Sequence, residues 1–552
     1  MCLTNLKKKM KTKQNKYFVI VLLLSLSLKT EAQNSCLPSS FQLTPTTKNR
    51  SIEWQKFPEF SLPFSIVYGG PRFGDFQKLP LKYGFSHLAT SDGNDADLPP
   101  TQRAAVWYGT GYAGANQPWE TIKSPWGNNI ELYKTKWKND MAGFANAFTN
   151  SAGSGKADID LFVPDIELQI KSNDSILVLK NHPSTPVAYK NLDNQSFITQ
   201  YKKDIQALYA QAFAETKIYA TQNTKIGGYS DAPILNTYIN IAGNSWQKWT
   251  SDVSLLNYVN YDFSKNAIGG DAFKNQDMFF PSAYYYYDYQ SPLAPDYLAY
   301  LLFQIEVNRA WTSKPIIPFV WLRYSYTASI AKRFIKPFMA EATAIFPFFS
   351  GANGLWLWDD PGSFKNDENF ATYEYFINGL YRLSQFKDMF SGNYELVIPM
   401  PAREYVDTRK PIWRAVAKGN DLLVAAHNPY AKDENEVVNV EIAYKNYRQN
   451  VTLKGYEVFL CKFDMTLLGT EGEISTFEVF PNPANEQINI SINSPKEQNT
   501  FIEIFDISGR KVLQEKILLS QGENNKVLNI SALTNGVYFI NVLGLSKKIV
   551  LN

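Results

Sequence analysis

The sequence contains few of the residues on which several common enzyme classes depend. Its 552 residues include three histidines, His87, His182 and His427. Because these histidines do not follow the spacing of zinc ligands, we expect neither a zinc site nor any other cofactor. The G-x-S-x-G turn of serine hydrolases is absent as well. Metal-assisted and serine-dependent hydrolysis are therefore not expected.

Charge of one sign and long apolar runs are also scarce. The 55 basic and 52 acidic residues are interspersed and leave a net charge of +3, so no basic surface for nucleic acid is indicated. The apolar run at 17–28 follows the basic stretch 7–16 and is too short for a comfortable membrane span. This arrangement is typical of a signal peptide over 1–32. We expect a secreted or cell-surface protein with no transmembrane segment in the mature chain.

Cysteine is rare, with three residues in the whole chain. Cys2 lies in the predicted signal peptide, so only Cys36 and Cys461 remain after cleavage. These two could form a disulfide in an oxidising compartment or be two ordinary buried thiols. The sequence leaves both alternatives open.

Aromatic side chains, in contrast, are abundant. The 33 tyrosines, 36 phenylalanines and 12 tryptophans make up 15% of the chain. Such a content suits a cleft in which sugar rings stack on aromatic faces, although core packing could absorb many of these residues. A sugar polymer is therefore a substrate class to consider.

Between residues 55 and 394, short apolar strands alternate with helical stretches, the pattern of repeated βα units around a parallel sheet. Helices are predicted at 196–217 and 295–311, among others. Eight such strands favour a (β/α)8 TIM-like barrel, in which the C-terminal strand ends carry the chemistry. The strands are PFSIVYGG (63–70), GFSHLAT (84–90), AAVWYGT (104–110), DLFVPDIE (160–167), KIGGYSD (225–231), DMFFPSAYYYYD (277–288), PIIPFVWLRY (315–324) and GANGLWLWDD (351–360).

The fourth strand ends in two carboxylates, Asp165 and Glu167. Alternation along a strand places both side chains on one face, roughly 7 Å apart. Neighbouring carboxylates raise each other's proton affinity, which costs stability unless the site uses a proton. The pair is therefore a candidate proton donor with its helper, and a salt-bridged or capping site is the structural alternative.

Other predicted strands also end in polar or aromatic side chains, which should meet at the same end of the barrel. Trp356 shares a strand face with Trp358, so we expect one of the two to lie deeper. Arg323 could bind an anionic sugar through paired donors or form a salt bridge to a barrel acid. The candidate substrate-binding residues are Tyr229, Asp231, Tyr284, Asp288, Arg323, Trp358 and Asp359.

After the barrel, the pattern becomes entirely β. Residues 395–466 alternate as expected for a small β-sandwich. Residues 475–552 contain VFPNPANEQINISI, IFDISGRKVLQE, NISALTNGVYFINV and KKIVLN, and these motifs resemble the C-terminal sorting domain of the type IX secretion system of Bacteroidetes. The resemblance implies export across the outer membrane by that machinery, as a partner, and later removal of the domain.

Carboxylate, tyrosine and tryptophan side chains on a secreted barrel point to glycoside hydrolysis, in which an acid protonates the leaving oxygen. Glu167, at the end of the fourth strand, is then the general acid, and Asp165 is its charged partner. The expected substrate is a polysaccharide.

Six barrel segments, in order, resemble the hyaluronidase family of glycoside hydrolases and, more distantly, chitinases. They are PFSIVYGGP, LFVPDIE, KIGGYSDAP, FFPSAYYY, PIIPFVWLRY and GANGLWLWDD. The resemblance implies that Glu167 is the proton donor and that Asp165 orients the acetamido group of the substrate. It also implies that Tyr229 and Tyr284 are cleft tyrosines and that Trp358 lies on the floor of the sugar subsite. In that family the N-acetyl oxygen of the substrate is the nucleophile, so the enzyme supplies none.

The sequence departs from that family after the D-x-E motif, where Gln169, Ile170 and Lys171 stand in place of the usual aromatic and arginine. A substrate without an acetamido group would need a protein nucleophile about 5–5.5 Å from the acid, or a base about 6.5–9.5 Å from it in an inverting enzyme. The candidates for that role are Asp165, Asp231, Asp288 and Asp359.

We therefore predict a secreted, endo-acting, retaining glycoside hydrolase that acts on a hexosamine-containing glycan or on a sulfated algal or animal polysaccharide. One alternative is a carbohydrate-binding or adhesive surface protein on an inactive barrel, although a binder has no need of a proton donor beside a second carboxylate. A lyase with tyrosine as acid and base is a further alternative, and its unsaturated product would absorb ultraviolet light.

Overall fold

The described part of the chain forms two compact units, one within Cys36–Lys462 and one within Phe463–Asn552. The predicted signal peptide at 1–32 lies outside the residues that the structure describes. A computed structural model describes residues 35–36, 51–72, 78–89, 95–111, 125–126, 130–147, 153–167, 170–235, 240–325, 330–360, 369–465, 476–494, 497–507, 510–543 and 545–552.

The larger unit is built on a parallel sheet of seven strands. They hydrogen-bond in the order β5-β4-β3-β2-β1-β7-β6, and every pair is parallel. The strands are β1 (Ser65–Gly69), β2 (His87–Ala89), β3 (Arg103–Trp107), β4 (Leu161–Pro164), β5 (Lys225–Ile226), β6 (Phe319–Trp321) and β7 (Gly354–Trp358).

The stretch 277–285 closes the ring between β5 and β6. It forms isolated parallel bridges rather than a regular strand, in part because Pro281 has no N–H to donate to a ladder. The predicted sixth strand therefore stands in its expected place, and the (β/α)8 barrel is confirmed. The bridges join Tyr229 to Phe280 on one side, and Phe279 to Ile316 and Ser282 to Phe319 on the other.

Helices follow most of the strands, as the alternating pattern predicts. In the described parts of the two connections between β1 and β3, however, the chain forms only 3-10 turns, at Leu79–Lys82 and Pro100–Gln102. The helices predicted at 196–217 and 295–311 are confirmed as α4 and α7. The helices are α1 (Ile130–Asn146), α2 (Asn173–Val178), α3 (Val187–Lys190), α4 (Asn194–Ile218), α5 (Trp246–Ser251), α6 (Gly270–Asn275), α7 (Tyr297–Trp311), α8 (Pro337–Phe349), α9 (Ala371–Ser384) and α10 (Ala402–Thr408).

The interior of the barrel is filled by apolar side chains from alternate strand positions, including Leu161 and Val163 on β4. Trp356 is fully buried there and stacks on Phe319 with the ring centroids 4.8 Å apart. Trp358, two positions further along β7, is only partly buried. The deeper position of one tryptophan is thus confirmed, and Trp358 faces the C-terminal end of the barrel.

Outside the barrel, the larger unit contains antiparallel strand pairs, including β8 with β9 and β9 with β10. A five-stranded sheet runs in the order Ser35–Cys36, β13, β10, β9, β8, and a two-stranded sheet pairs β11 with β12. Cys461, on β13, is disulfide-bonded. The strands are β8 (Glu395–Val397), β9 (Ile412–Lys418), β10 (Asp421–His427), β11 (Val437–Tyr444), β12 (Tyr447–Lys454) and β13 (Val458–Asp464).

The C-terminal unit consists of two antiparallel sheets around an apolar core of its own. Their orders are β14-β15-β18 and β17-β16-β19-β20, and inward isoleucines such as Ile490 and Ile540 are fully buried. The all-β prediction for this segment is confirmed. The strands are β14 (Thr476–Phe480), β15 (Gln487–Ser494), β16 (Gln498–Asp506), β17 (Lys511–Leu519), β18 (Gly522–Asn529), β19 (Gly536–Val542) and β20 (Leu545–Leu551).

Candidate active site

The paired acids follow directly from β4. The strand ends at Pro164, and the Asp165 N–H still donates to the carbonyl of Trp107 on β3 at 3.2 Å. Asp165 therefore continues the inward register of Leu161 and Val163. The chain then turns, because Glu167 has a φ of +48°, a left-handed conformation that a non-glycine residue adopts at a cost of about 1–3 kcal/mol. The extended geometry assumed from the sequence thus ends before Glu167.

The electrostatic environments of the two acids differ. Asp165 is 3% exposed, and its Oδ1 has no hydrogen-bond partner among the described residues. Burial, together with the nearby charge of Glu167, raises the pKa of Asp165 from 3.8 to about 8. Glu167 itself is exposed at the strand end. One carboxyl is therefore held neutral at pH 7 while its neighbour faces solvent, the arrangement in which two acids take different roles.

A third carboxyl, Asp231, lies close to this pair. It follows β5, is 5% exposed, and its Oδ2 also lacks a partner within the described part of the chain. Burial, reinforced by the charges of Asp165 and Glu167, raises the pKa of Asp231 well above its ordinary value. Gly228 makes room for it, since a Cβ there would lie 2.0 Å from Asp231 Oδ2. The structure therefore brings three of the predicted acids together.

An aromatic wall stands beside these acids. Tyr284 stacks against Trp358 with the ring centroids 5.6 Å apart and 25° between the planes, and Tyr229 lies 6.3 Å from Tyr284. Tyr229 donates a hydrogen bond to the hydroxyl of Ser282 at 3.1 Å. Burial is the main cause that raises the pKa of both tyrosines. The structure thus brings together the three aromatics that were predicted to line the cleft.

Tyr108 belongs to the same group but was missed at the sequence level. Tyr108 is 47% exposed, and its hydroxyl accepts a hydrogen bond from the Nε1 of Trp358 at 3.3 Å. Burial raises its pKa, and the charges of Asp165 and Glu167 add to the effect. The sequence signal that could have identified Tyr108 is its position near the end of AAVWYGT, because residues at the C-terminal end of a barrel strand lie at the end of the barrel where active sites form.

Arg323 and Asp359 form a buried ion pair. The Arg323 Nε donates to both Asp359 oxygens at 3.0 and 3.1 Å, and the two side chains are 1% and 0% exposed. Tyr373 and Trp321 also donate to Asp359, at 2.6 and 2.7 Å. Of the two alternatives for Arg323, the salt bridge to a barrel acid is therefore present. The hydrogen bond to Asp359 also fixes Trp321, which packs edge-on against Trp358 with the ring centroids 4.8 Å apart.

Asp288 has a different setting. Its carboxylate accepts a hydrogen bond from the Tyr324 hydroxyl at 3.2 Å and lies 3.6 Å from Arg333 and 3.8 Å from Lys336. Two cations thus neutralise Asp288, whereas Asp165 and Asp231 have no cation contact among the described residues. The role of Asp288 in sugar binding stays a prediction. Gln169, one of the departures from the hyaluronidase pattern, lies outside the described residues.

Substitution of Gly111 tests how precisely the turn that carries Asp165 and Glu167 must be positioned. Gly111 packs against the backbone after β4, and a Cβ there would lie 2.8 Å from the carbonyl oxygen of Ile166 and 3.2 Å from that of Asp165. We expect Gly111→Ala to displace this turn and to lower kcat by up to about 10²-fold, since small misplacements of catalytic groups have such effects. The measurement is turnover of the substrate polymer beside a thermal melt.

Gly143→Ala is the matched control. Gly143 lies inside α1, and a Cβ there meets nothing within 4 Å. This substitution should leave turnover unchanged and raise stability slightly, because alanine favours a helix by about 1 kcal/mol over glycine. Equal turnover in the two variants would show that the turn tolerates displacement.

The described residues contain no group of three or more His, Cys, Asp or Glu placed to hold a metal ion. Within that same part of the chain, no helix combines the length and apolar character needed to cross a membrane.

Comparison with known proteins gives one family match and several distant structural similarities. Bee venom hyaluronidase, in its complex with a hyaluronic acid tetramer, is 13% identical with a TM-score of 0.40, over 58% of this chain and 98% of that one. An Anoxybacillus alpha-amylase is 10% identical with a TM-score of 0.33, over 65% of this chain and 75% of that one. No curated protein matches the sequence. Residues 478–552 match the family model of the secretion system C-terminal sorting domain. This match confirms the resemblance of the C-terminal segment to that domain. The protein is therefore secreted or carried on the cell surface.

Proposed function

We propose that the protein is an endo-acting glycoside hydrolase that cleaves a polysaccharide with retention of configuration. The observation that carries this proposal is the carboxyl pair after β4, in which Asp165 is buried with an unpaired oxygen and Glu167 is exposed beside it. A purely structural buried carboxyl would be paired with cations, as Asp288 is with Arg333 and Lys336, whereas Asp165 Oδ1 has no partner among the described residues. An unpaired buried carboxyl costs stability, and such groups concentrate at sites that use a proton.

In the proposed mechanism, Glu167 donates a proton to the glycosidic oxygen and later takes one from water. Asp165 Oδ1 accepts a hydrogen bond from the amide N–H of a 2-acetamido group. This bond satisfies the buried oxygen and orients the acetamido carbonyl toward the anomeric carbon. Tyr229, Tyr284 and Trp358 form the wall against which the sugar ring stacks.

A substrate without an acetamido group requires a nucleophile from the protein. Asp165 and Asp231 are the two candidates that lie with Glu167, because each is influenced by its charge. The ion pair of Asp359 with Arg323 suits a positioning role instead, since both of its oxygens already accept hydrogen bonds. A hexosamine-containing glycan remains the first substrate class, and a sulfated polysaccharide is the second.

The alternatives make different use of the same residues. A lyase needs a tyrosine that loses its proton readily, whereas the pKa values of Tyr108, Tyr229 and Tyr284 are all raised. This direction disfavours elimination. A carbohydrate-binding protein on the same barrel could use the aromatic wall, but it gains nothing from a neutral Asp165 beside Glu167.

The test is release of reducing ends by the secreted protein from hyaluronan, chondroitin, chitin oligosaccharides, fucans, carrageenans and agars. We expect cleavage of an acetamido-containing polymer and products that do not absorb at the ultraviolet wavelength of unsaturated sugars. Ultraviolet-absorbing products would identify a lyase. Binding to a polymer without cleavage of any would support the carbohydrate-binding alternative.

A further inference from the structure

A cavity opens at the opposite end of the barrel from the carboxyl groups. Its volume is about 680 Å³, within the range of ordinary ligand pockets. Phe64 and Asn353 line it from the positions just before β1 and β7, and Lys314 lies five residues before β6, so the cavity is at the N-terminal ends of these strands. Asp165 and Glu167, in contrast, follow the C-terminal end of β4. The cavity is therefore separate from the candidate active site.

The charge of the cavity is positive. Its lining contains Arg309 and Lys314 and no carboxylate. Lys314 is anchored, because its Nζ donates to the carbonyls of Phe273 and Gln276 at 2.6 and 2.5 Å. The Lys314 ammonium is thereby directed at residues outside the lining. Arg309, in a lining without a carboxylate, is the cation that favours an anionic ligand.

Arg309 is held in a fixed orientation at the rim. Its Nη1 donates to the carbonyl of Ser350 at 2.9 Å. Its guanidinium lies against Gly351, where the φ of +88° favours glycine and a Cβ would be 2.3 Å from Nη1. The residue as a whole is exposed. The other guanidinium N–H groups have no partner among the described residues, and paired donors of this kind match carboxylate and sulfate.

Aromatic rings complete the lining. Tyr394 is 39% exposed and lies edge-on to Phe390 with the centroids 6.0 Å apart. Trp311 is partly exposed, and its Nε1 donates to the carbonyl of Trp249 at 2.9 Å, which fixes the indole. Rigid rings beside an oriented guanidinium suit a sugar that carries a charged group.

We propose that this cavity is a second, non-catalytic site for an anionic polysaccharide. Arg309 binds a carboxylate or sulfate group of the polymer, and Tyr394 and Trp311 contact its sugar rings. That the ligand is a polysaccharide rests on the proposed function. The cavity adds to that function the inference that the substrate is negatively charged. The cavity holds the polymer on the protein while the other end of the barrel cleaves it.

The test uses the full-length protein with Glu167→Gln, which binds without cleaving. Affinity electrophoresis compares dextran sulfate, hyaluronan and neutral dextran as probes, so that sulfate and carboxylate are distinguished. We expect binding to at least one anionic polymer, no binding to neutral dextran, and a loss of about tenfold in affinity on Arg309→Gln, as expected for a charged hydrogen bond. Tyr394→Ala should weaken the same binding.

Arg448→Gln is the control, because Arg448 lies on β12 and its loss changes the net charge equally. The proposal is overturned if Arg309→Gln and Tyr394→Ala bind as the parent does, if Arg448→Gln has the same effect as Arg309→Gln, or if neutral dextran binds equally. A thermal melt of each variant separates lost binding from lost folding. With Glu167 restored, Arg309→Gln should still cleave short oligosaccharides at the parent rate. Binding without any cleavage would leave this site intact and contradict only the proposed hydrolase.

Discussion

Glu167→Gln is expected to lower the rate of hydrolysis by orders of magnitude and to leave the fold intact. Glutamine has nearly the same shape as glutamate, but it cannot transfer a proton to the leaving oxygen. The loss of a general acid typically lowers turnover by about 10²–10⁴-fold. Because the side chain is exposed, the melting temperature should change little. The measurement is the initial rate of reducing-end release from the best polymer, with the variant and the parent at equal concentration.

Glu131→Gln is the matched control for this experiment. Glu131 lies in the first turn of α1, where it forms an exposed ion pair with Lys134 at 2.9 Å. Its loss should not change turnover, because such pairs contribute little. Full activity of the Glu167→Gln protein would remove Glu167 from the chemistry and leave Asp165 and Asp231 as the only acids of the cluster.

Asp165→Asn is expected to stabilise the protein at neutral and alkaline pH. The pKa of Asp165 is about 8 in the folded protein against 3.8 for the ordinary group. Between these pH values the folded protein binds more protons than the unfolded chain, so stability falls as the pH rises from about 4 to about 8. The full effect is on the order of 5 kcal/mol at most. Asparagine is neutral throughout and avoids this loss.

The measurement is the melting temperature of parent and variant across pH 4 to 9. The two proteins should melt at similar temperatures near pH 4, and the variant should melt several degrees higher near pH 8. Asp231 keeps its own raised pKa, so part of the pH dependence should remain in the variant. A variant less stable than the parent at pH 8 would show that Asp165 is ionised and well solvated in the folded protein.

The barrel and the carboxyl pair after its fourth strand could be predicted from the sequence, because both depend on the pattern of apolar and polar residues within single strands. Short apolar runs separated by turns predicted the strands, and their order placed Asp165 and Glu167 at the end of the fourth strand. Alternation along β7 placed Trp356 and Trp358 on one face, where they differ in depth: Trp356 is buried and Trp358 is partly buried at the barrel end. These predictions need only the two-residue period of a strand and the parallel direction of the sheet.

Other features of the site depend on contacts between distant parts of the chain. Nothing in KIGGYSD shows that Asp231 loses its solvent and lies near Asp165, and nothing in GANGLWLWDD shows that Asp359 pairs with Arg323. Tyr108 was missed because its hydrogen bond to Trp358 joins residues 250 positions apart. The turn at Glu167 was missed because a positive φ at a non-glycine residue has no local signature.

The central claim is retaining hydrolysis by the carboxyl pair after β4. Proton NMR of the first products released from the best-cleaved polymer tests it most directly, because it records the anomer before mutarotation. A newly formed reducing end with the configuration of the cleaved bond is the predicted result, with no signal from the Glu167→Gln protein. An inverted anomer would require a base about 6.5–9.5 Å from the acid and would contradict the roles given to Asp165 and Glu167.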